Sequence, residues 1–537
     1  MVFSQLDLLV FIAYGLLILF LGIYVSRNKT GKSKSVEDYF LASKSLPWWA
    51  IGASLIAANI SAEQFIGMSG SGFAIGLSIA SYEWMGAITL IIVAKYFLPI
   101  FIKQGLYTIP EFIEKRFNVQ LKSILAIFWI ALFVFVNLSS VLYLGALALQ
   151  TILGISLAQG IIGIALFAAA YSLYGGLSAV AWTDVVQVFF LVLGGFTTTF
   201  LALNLVSEGA GVWAGFNRVM DTVPEKFHMI LERTDPQYKN LPGIWVLIGG
   251  LWVANLYYFG FNQYIIQRTL AAKSLKESQK GMALAAFLKI LIPFIVVIPG
   301  IACYVIVNDP IILSNIGEKG LVNLPSLEEA DKAYPWLLQL LPSGLKGVAF
   351  AALIAAIVSS LASMLNSTST IFTMDIYKQH IDANAKDNKL VKVGRVAAVV
   401  ALSVACIMAP LLGGIDQAFQ FIQEYTGIVS PGILTVFLLG LFWKKTTSSA
   451  AVWGTLSSIP IALGFKSFES IPWMNQMGLT AIISACIIIT ISLLEGKGND
   501  DKKGINLDNN TFKTSTAFNI SAMGISLLLV VLYALFW

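Results

Sequence analysis

Fourteen long apolar segments run through this 537-residue chain, and each is long enough to cross a lipid bilayer. A spanning helix needs about 20 apolar residues, because it rises about 1.5 Å per residue through a hydrocarbon core about 30 Å thick. Charged residues make up only 12% of the chain, about half the share of a soluble protein. The sequence therefore predicts an all-α integral membrane protein. The predicted spans are 6–25, 46–70, 78–102, 122–152, 155–176, 179–205, 242–266, 277–307, 344–376, 390–412, 416–442, 447–466, 472–494 and 517–537.

Basic residues predict how the chain is oriented. With residue 1 placed outside, the inner side carries about three times as many lysines and arginines as the outer side, as the positive-inside rule requires. Arg27, Lys29, Lys32 and Lys34 follow the first span, and no basic region precedes it, so this span is an anchor rather than a signal peptide. We predict a multi-pass protein of the cell (inner) membrane with both termini on the extracellular or periplasmic side.

The second span, 46–70, places Asn59, Glu63 and Gln64 at mid-depth in the bilayer. A charged side chain there costs about 3 kcal/mol unless it is paired or hydrated. In one interpretation, these polar groups hydrogen-bond to neighbouring helices. In the other, the helix breaks at Ile60–Ala62 and lines a water-filled site, since irregular backbone at this depth is tolerated only inside protein or along a cavity.

The seventh span, 242–266, repeats this pattern with Asn255, Asn262 and Gln263. Interrupted helices at matching positions of two halves are typical of transporters with inverted repeats. Each interrupted span begins a block of five, and because five is odd, the second block is inverted relative to the first. We predict five regions. They are one extra helix with a cytoplasmic loop (1–45), repeat one (46–205), an extracellular or periplasmic loop (206–241), repeat two (242–442) and three C-terminal helices (443–537).

Several motifs in these segments point to a known family. They are GGLSAVAWTDVVQ (Gly175–Gln187), LGLFWKK (Leu439–Lys445), NISAEQFIGMSGSG, NLYYFGFNQYIIQR and AAIVSSLASMLNS. From Met1 to Trp537, the chain resembles the sodium/solute symporter family, and most closely its bacterial sodium/galactose (sodium/glucose) cotransporters. The resemblance implies a leucine-transporter-type fold, with a five-plus-five inverted-repeat core, one extra helix before it and three after it.

Three residues of the ninth span share one helix face: Ala356, Ser359 and Ser360 lie at i, i+3 and i+4. Two hydroxyls and one backbone carbonyl supply three of the oxygen ligands that a sodium ion needs. From the spacing alone, the alternative is that the two hydroxyls donate hydrogen bonds to backbone carbonyls in the preceding turn of the same helix. The resemblance implies the sodium site and adds two carbonyls at the predicted break, those of Ala57 and Ile60.

Asp184 in the sixth span is a further candidate sodium residue. A carboxylate is costly at this depth unless it is paired or hydrated. The resemblance implies that Asp184 helps sodium leave toward the cytoplasm or forms a second sodium site, and pairing between helices is the alternative. Sodium is therefore the expected coupling ion, and no organic cofactor is expected.

A sugar site requires convergent polar groups for the hydroxyls and aromatic rings for the C–H faces. For any one ring in the chain, ordinary core packing is the alternative. The resemblance implies that the substrate-binding residues are Gln64, Glu83, Asn255, Lys289 and Gln423. It also implies gate residues: Tyr258, which stacks on the sugar at the inner gate, with its support Asn59, and Met68, Tyr82 and Phe419 at the outer gate.

Two residues depart from the cotransporter pattern. Gly86 stands where the galactose cotransporters have a serine that bonds the sugar, and Phe259 stands where they have a tryptophan beside the gate tyrosine. A missing hydrogen bond costs about 1 kcal/mol, which is enough to change sugar preference while leaving transport intact. We assign no role to the acidic neighbours Glu63 and Glu424.

The predicted function is sodium-coupled symport of a neutral monosaccharide, galactose or glucose, by alternating access. The alternatives are symport of another small polar solute (inositol, another polyol or a sialic acid) and a membrane sensor that binds a solute without transporting it.

An enzyme is not expected, because no metal cluster or nucleophile–base pair has a recognisable spacing. Nucleic acid is not an expected partner, because the net charge is only +5 and no basic cluster alternates with aromatic residues. The expected partners are the sugar, sodium and the bilayer, and the sequence leaves the oligomeric state open.

Overall fold

The computed structural model describes residues 4–26, 35–317, 324–413, 417–508 and 510–537. This described part is helical, and its extended pairing is limited to an isolated bridge between Leu46 and Ala272. The basic residues that follow the first predicted span lie outside it: Arg27, Lys29, Lys32 and Lys34.

The main helices are labelled here in chain order. They are α1 Gln5–Ser26, α2 Trp48–Asn59, α3 Ser69–Ala74, α4 Ser81–Ile92, α5 Val119–Ala131, α6 Ser139–Leu153, α7 Leu157–Val206, α8 Leu251–Phe261, α9 Gln263–Leu270, α10 Leu275–Asn308, α11 Leu345–Ile371, α12 Asp387–Met408, α13 Ala418–Phe442, α14 Ser448–Phe465, α15 Trp473–Gly496 and α16 Thr516–Leu535. Wider π-type turns extend or join them at Glu63–Met68, Val93–Phe97, Leu132–Leu138 and Phe372–Ile381. Short helices in the connections are Val36–Leu41, Leu98–Lys103, Ile109–Arg116, Val212–Thr222, Ile244–Ile248, Pro310–Ile316 and Ala333–Leu340.

Within the described ranges, twelve helices are long and apolar enough to cross a membrane. They coincide with twelve of the predicted spans, with end points that differ by a few residues. The other two predicted spans, 46–70 and 155–176, correspond to the interrupted pair α2–α3 and to the first part of α7, where Leu157–Ala170 is a shorter apolar helix.

A sharp bend at Gly176 divides α7 between the fifth and sixth predicted spans. Gly176 has φ 65° and ψ −157°, a backbone conformation that residues with a side chain rarely adopt. A Cβ atom here would lie 2.4 Å from the carbonyl oxygen of Tyr39. Glycine therefore lets the chain turn back while it packs directly on the helix that carries Tyr39.

Both interruptions predicted from mid-membrane polar residues are present. After α2, Ile60 leaves helical geometry with φ −86° and ψ 105°. After α8, Asn262 does the same with φ −81° and ψ 124°. The second break falls two residues beyond Gly260, and the chain resumes as α9. The two predicted half-helix pairs thus break with nearly the same backbone conformation.

The helix α11 is almost wholly buried and lies at the centre of the bundle. It packs against α1 and α7, while α10 packs against α2, α3 and α4. The broken helix α8 contacts α4 and α13. The polar residues that this packing encloses in protein include Asn59, Glu83, Asn255, Lys289, Ser359 and Ser360.

The loop that follows α7 covers the end of α3. The buried ammonium of Lys226 donates to the carbonyl oxygens of Phe73 at 2.9 Å and Ala74 at 3.1 Å. It also lies 4.1 Å from the centre of the Tyr304 ring. These carbonyls end a helix and lack intrahelical partners, so a cation stabilises them. Burial lowers the pKa of Lys226 in this position.

Candidate functional site

At the break after α2, a side chain hydrogen-bonds to the backbone. The Ser61 N–H would continue the helix by donating to the carbonyl of Ala57, four residues earlier. It donates instead to Gln64 Oε1 at 2.9 Å, and the Ser61 hydroxyl approaches the same oxygen at 3.2 Å. Gln64 is buried. The side chain of Gln64 thus diverts this N–H from the helix and leaves the Ala57 carbonyl without it.

Buried hydroxyls of α11 reach this break. The Ser360 hydroxyl donates to the carbonyl oxygen of Ala58 at 3.0 Å. Ser359 and Ala356 lie on the same buried face of α11. One hydroxyl of α11 therefore contacts a backbone carbonyl at the break, and hydroxyl and carbonyl oxygens are the type of ligand that a sodium ion needs. The oxygen that contacts Ser360 belongs to Ala58, which lies between the predicted ligands Ala57 and Ile60.

Asp184 lies directly beside these hydroxyls. Its two carboxylate oxygens accept hydrogen bonds from Ser359 and Ser54, each at 2.5 Å. The guanidinium of Arg268 approaches at 3.4 Å, and both charged side chains are fully buried. Asp184 is therefore paired with Arg268 of α9, and it also accepts a hydrogen bond from the candidate sodium residue Ser359.

Arg268 is a site residue that sequence reasoning missed. Besides Asp184, it donates to the carbonyl of Ser54 at 3.1 Å and to the hydroxyl of Ser54 at 2.7 Å, and it bonds to Tyr264 and Ser363. The seventh predicted span ended at residue 266, whereas α9 continues to Leu270. The available signal was the pair Gln263 and Gln267, whose spacing of four continues a helical pattern past 266.

Glu83 of α4 and Lys289 of α10 form a buried ion pair. Lys289 Nζ lies 2.6 Å from Glu83 Oε2, and each side chain is only 2% exposed. Lys289 Nζ also lies 5.1 Å from the centre of the Phe259 ring, within range of a cation–π attraction. The two predicted charged sugar ligands are thus brought together and neutralise each other.

Gly86 and Phe259, the two residues that depart from the cotransporter pattern, lie next to each other. A Cβ atom at Gly86 would lie 3.0 Å from Cε2 of Phe259 and 3.8 Å from Cε of Lys289. A side chain at position 86 would therefore press on the ring at position 259. This contact borders the Glu83–Lys289 pair.

The predicted inner-gate residues form a hydrogen-bonded cluster at the two breaks. The Tyr258 hydroxyl accepts from Asn59 Nδ2 at 3.0 Å and from the Tyr264 hydroxyl at 2.6 Å. The bond to Asn59 joins the end of α2 to the end of α8. Asn255 lies one turn before Tyr258, and its buried Nδ2 has no hydrogen-bond partner among the described residues.

The predicted outer-gate residues pack close to the broken segment of the first repeat. The rings of Tyr82 and Phe419 meet edge to face with centroids 5.0 Å apart. A Cβ atom at Gly67 would lie 2.9 Å from Cβ of Phe419, and the neighbouring Met68 is fully buried. Gln423 lies one turn after Phe419 and is partly exposed. These contacts pack apolar groups of α4 and α13 against the segment that follows the first break.

The two acidic residues without an assigned role lie in different environments. Glu63 is buried, and its Oε1 has no hydrogen-bond partner in the described part of the chain. Glu424 is partly exposed and pairs with Lys466 at 3.4 Å. Only Glu63 belongs to the interior.

Comparisons with known sequences point to one family. A profile described as the sodium:solute symporter family matches residues 39–457. A sodium/glucose cotransporter of Vibrio parahaemolyticus is 65% identical over 535 residues, which cover 99% of this chain and 98% of that protein. Human sodium/myo-inositol cotransporter 2 is 36% identical over 476 residues, which cover 85% of this chain and 69% of the human protein.

Comparisons with solved structures agree on the fold. A Na⁺-coupled sialic acid symporter, solved in a substrate-bound outward-open state, superposes with a TM-score of 0.78 at 24% identity, covering 91% of this chain and 98% of that one. A nucleobase-cation-symport-1 family transporter superposes with a TM-score of 0.54 at 14% identity, covering 91% and 99%. The fold is thus one shared by membrane transporters, of the leucine-transporter type.

Proposed function

Because the chain belongs to the sodium:solute symporter family, we propose that it carries a neutral monosaccharide, galactose or glucose, across the membrane together with sodium. The protein is a sodium-coupled symporter and not an enzyme, since the family and its relatives are transporters. Sodium is its coupling ion. The substrate, the ligand residues and the transport cycle are the proposed part.

The buried Glu83–Lys289 pair is the observation that carries the substrate class. A carboxylate and an ammonium that neutralise each other offer strong acceptors and donors without a net charge. That combination suits the hydroxyls of an uncharged solute better than a charged one. Asn255 offers a buried amide without a partner, and Gln64 and Gln423 supply further amides. The relative from Vibrio supports the same substrate class, because it is described as a sodium/glucose cotransporter.

Myo-inositol is the second candidate substrate. The contact between Gly86 and Phe259 borders the proposed sugar ligands, and both positions depart from the galactose cotransporter pattern. A relative described as a sodium/myo-inositol cotransporter is 36% identical to this chain. Inositol and hexoses share a ring of hydroxyls, so one set of amides and charged groups suits both.

The proposed sodium ligands are oxygens from α11 and from the break after α2. They are the hydroxyls of Ser359 and Ser360 and the carbonyls of Ala57, Ile60 and Ala356. Each is neutral, so we expect weak, easily released binding. Asp184 receives the ion on its way to the cytoplasm or forms a second sodium site, because Ser359 joins it to the proposed ligands at 2.5 Å.

The proposed architecture has fourteen spans with both termini on the extracellular or periplasmic side of the inner membrane. The pair α2–α3 and the first part of α7 supply the two spans beyond the twelve long helices. Residues 46–205 and 242–442 are the two inverted repeats, and the matching breaks at Ile60 and Asn262 support this division.

In the proposed cycle, sodium binding joins α11 to α2 and favours the outward-facing state with a complete sugar site. Met68, Tyr82 and Phe419 close over the sugar, and Tyr258 then yields toward the cytoplasm. Coupling requires that both solutes bind one state better together than apart. One sodium falling through 100 mV supplies about 2.3 kcal/mol and a tenfold gradient about 1.4 kcal/mol more, enough to accumulate an uncharged sugar several hundredfold.

Uptake into proteoliposomes tests this proposal. We expect radiolabelled galactose or glucose to accumulate above equilibrium under an inward sodium gradient and not under an equal potassium gradient. Myo-inositol, assayed in parallel, would become the assigned substrate if it alone accumulated. If none of the three accumulated with sodium, the proposed substrate class would be wrong.

Replacing Ser360 with alanine tests the sodium ligands. We expect the sodium concentration for half-maximal uptake to rise about tenfold, because one oxygen ligand worth roughly 1.4 kcal/mol is lost. Ser367→Ala is the matched control. Its hydroxyl is also buried on α11 but donates to Gln267, away from the break. An unchanged sodium dependence in Ser360→Ala would remove Ser360 from the site.

A further inference from the structure

A groove of about 680 Å³ runs along the outer face of α12, away from the proposed transport site. Its walls are almost entirely apolar. One wall comes from α12 and the other from the region where α5 passes into Leu132–Leu138, with the end of α11 at one extremity. Phe135, Val396 and Val400 line the groove, and each of these side chains is at least 50% exposed. The groove therefore opens toward the lipid.

The groove begins at two basic residues. Lys389 and Lys392 line its mouth in the first turns of α12. Lys389 forms a pair with Asp382 at 2.7 Å, with the lysine 57% exposed, and such surface pairs contribute little. Lys392 is exposed and has no ion-pair partner among the described residues.

The surrounding sequence is also basic. Residues 378–395 contain five lysines and arginines and two aspartates. The mouth of the groove therefore lies in a region of positive charge, at the end of α12 that faces the cytoplasm in the proposed orientation.

The length of the groove fits one leaflet of a bilayer. Val393, Val396, Val400 and Val404 follow Lys392 at helical spacing and line the same wall. From Lys392 to Val404 the helix rises about 18 Å, close to half of a hydrocarbon core about 30 Å thick. A chain that enters at the lysines would thus end near the middle of the membrane.

We propose that this groove is a binding site for an anionic phospholipid, with an acyl chain along α12 and the phosphate at Lys389 and Lys392. The apolar walls match the chain, and the two lysines match a headgroup with net negative charge. Basic pockets between helices on the cytoplasmic side are suited to such headgroups. The lipid would sit against the cytoplasmic end of α11, the helix that carries Ser359 and Ser360.

Native mass spectrometry of the full-length protein in detergent tests the site. The probes are phosphatidylglycerol and phosphatidylcholine with identical acyl chains. We expect the unmodified protein to retain phosphatidylglycerol preferentially and Lys389→Gln/Lys392→Gln to bind it about tenfold more weakly. The control Lys497→Gln/Lys502→Gln removes the same charge from another exposed segment assigned to the cytoplasmic side, and its binding should not change.

A second variant tests the apolar half of the site. Ala397 lines the groove and is partly exposed, so Ala397→Phe fills the groove without disturbing the core. It should weaken binding of phosphatidylglycerol while leaving both lysines in place. Equal retention of the two lipids by the unmodified protein, or an equal loss in the control double variant, would overturn the proposal. Unchanged phosphatidylglycerol binding in Ala397→Phe would do the same.

Discussion

Neither Glu83→Gln nor Lys289→Met is expected to give a stable protein, whereas the double variant Glu83→Gln/Lys289→Met is expected to fold and yet transport no sugar. Each single change leaves one charge buried without its partner, and such a loss costs about 3–5 kcal/mol. The double variant removes both charges, so most of the stability returns. The charged acceptor and donor that the sugar hydroxyls require are still missing, so sugar transport does not return.

Thermal unfolding in detergent and sodium-driven uptake in proteoliposomes separate these two effects. Glu424 and Lys466 provide a matched control pair, because they are partly exposed and 3.4 Å apart. Breaking that pair should change the free energy of unfolding by about 1 kcal/mol or less. Normal uptake by the Glu83→Gln/Lys289→Met variant would mean that the buried pair is only structural, and both residues would leave the proposed sugar site.

The helices and their breaks could be predicted from the sequence because their causes are local. Apolar runs of membrane-spanning length fix the helices, and Asn59 and Gln64 mark the first break, where polar groups at mid-depth cannot face lipid. The bend at Gly176 fell at the last residue of the fifth predicted span, 155–176. Asn255, Asn262 and Gln263 marked the second interrupted span, and its break lies at Asn262.

The contacts within the site could not be predicted from spacing, because they join distant parts of the chain. Glu83 and Lys289 were singled out separately, and only the fold shows that they pair across 206 positions. Arg268 lay beyond the predicted end of its helix, and its burial depends on Asp184, which is 84 positions away. The contact between Gly86 and Phe259 likewise depends on how α4 packs against α8.

Assigning roles to the site residues required more than their positions. The face shared by Ser359 and Ser360 was visible as a spacing, but the same spacing fits hydroxyls that bond within their own helix. Their role came from the family resemblance. The structure adds that Ser360 bonds to a carbonyl at the break after α2, a contact that a purely local hydroxyl would not make. Ligation of sodium and of sugar remains a prediction.

Replacing Gln64 with alanine is expected to abolish sugar uptake and also to weaken sodium binding. The Ser61 N–H, which now donates to Gln64 Oε1, loses its acceptor and is free to bond to the Ala57 carbonyl again. That bond would rebuild the helix across the break and occupy a proposed sodium ligand. We therefore expect about a tenfold loss of sodium affinity, roughly 1.4 kcal/mol, in addition to the loss of a sugar ligand.

Sodium-dependent thermal stabilisation without sugar isolates the sodium effect, because at a given concentration a ligand that binds the folded state stabilises it more when its affinity is higher. Asn255→Ala is the matched control. It removes an amide from the proposed sugar site that makes no hydrogen bond through Nδ2, so uptake should fall while stabilisation by sodium persists. If Gln64→Ala kept its full stabilisation by sodium, the side chain would not hold the break open. If it kept uptake as well, Gln64 would belong to neither site, and the break after α2 would have to be fixed by the packing of α11 against Ala58.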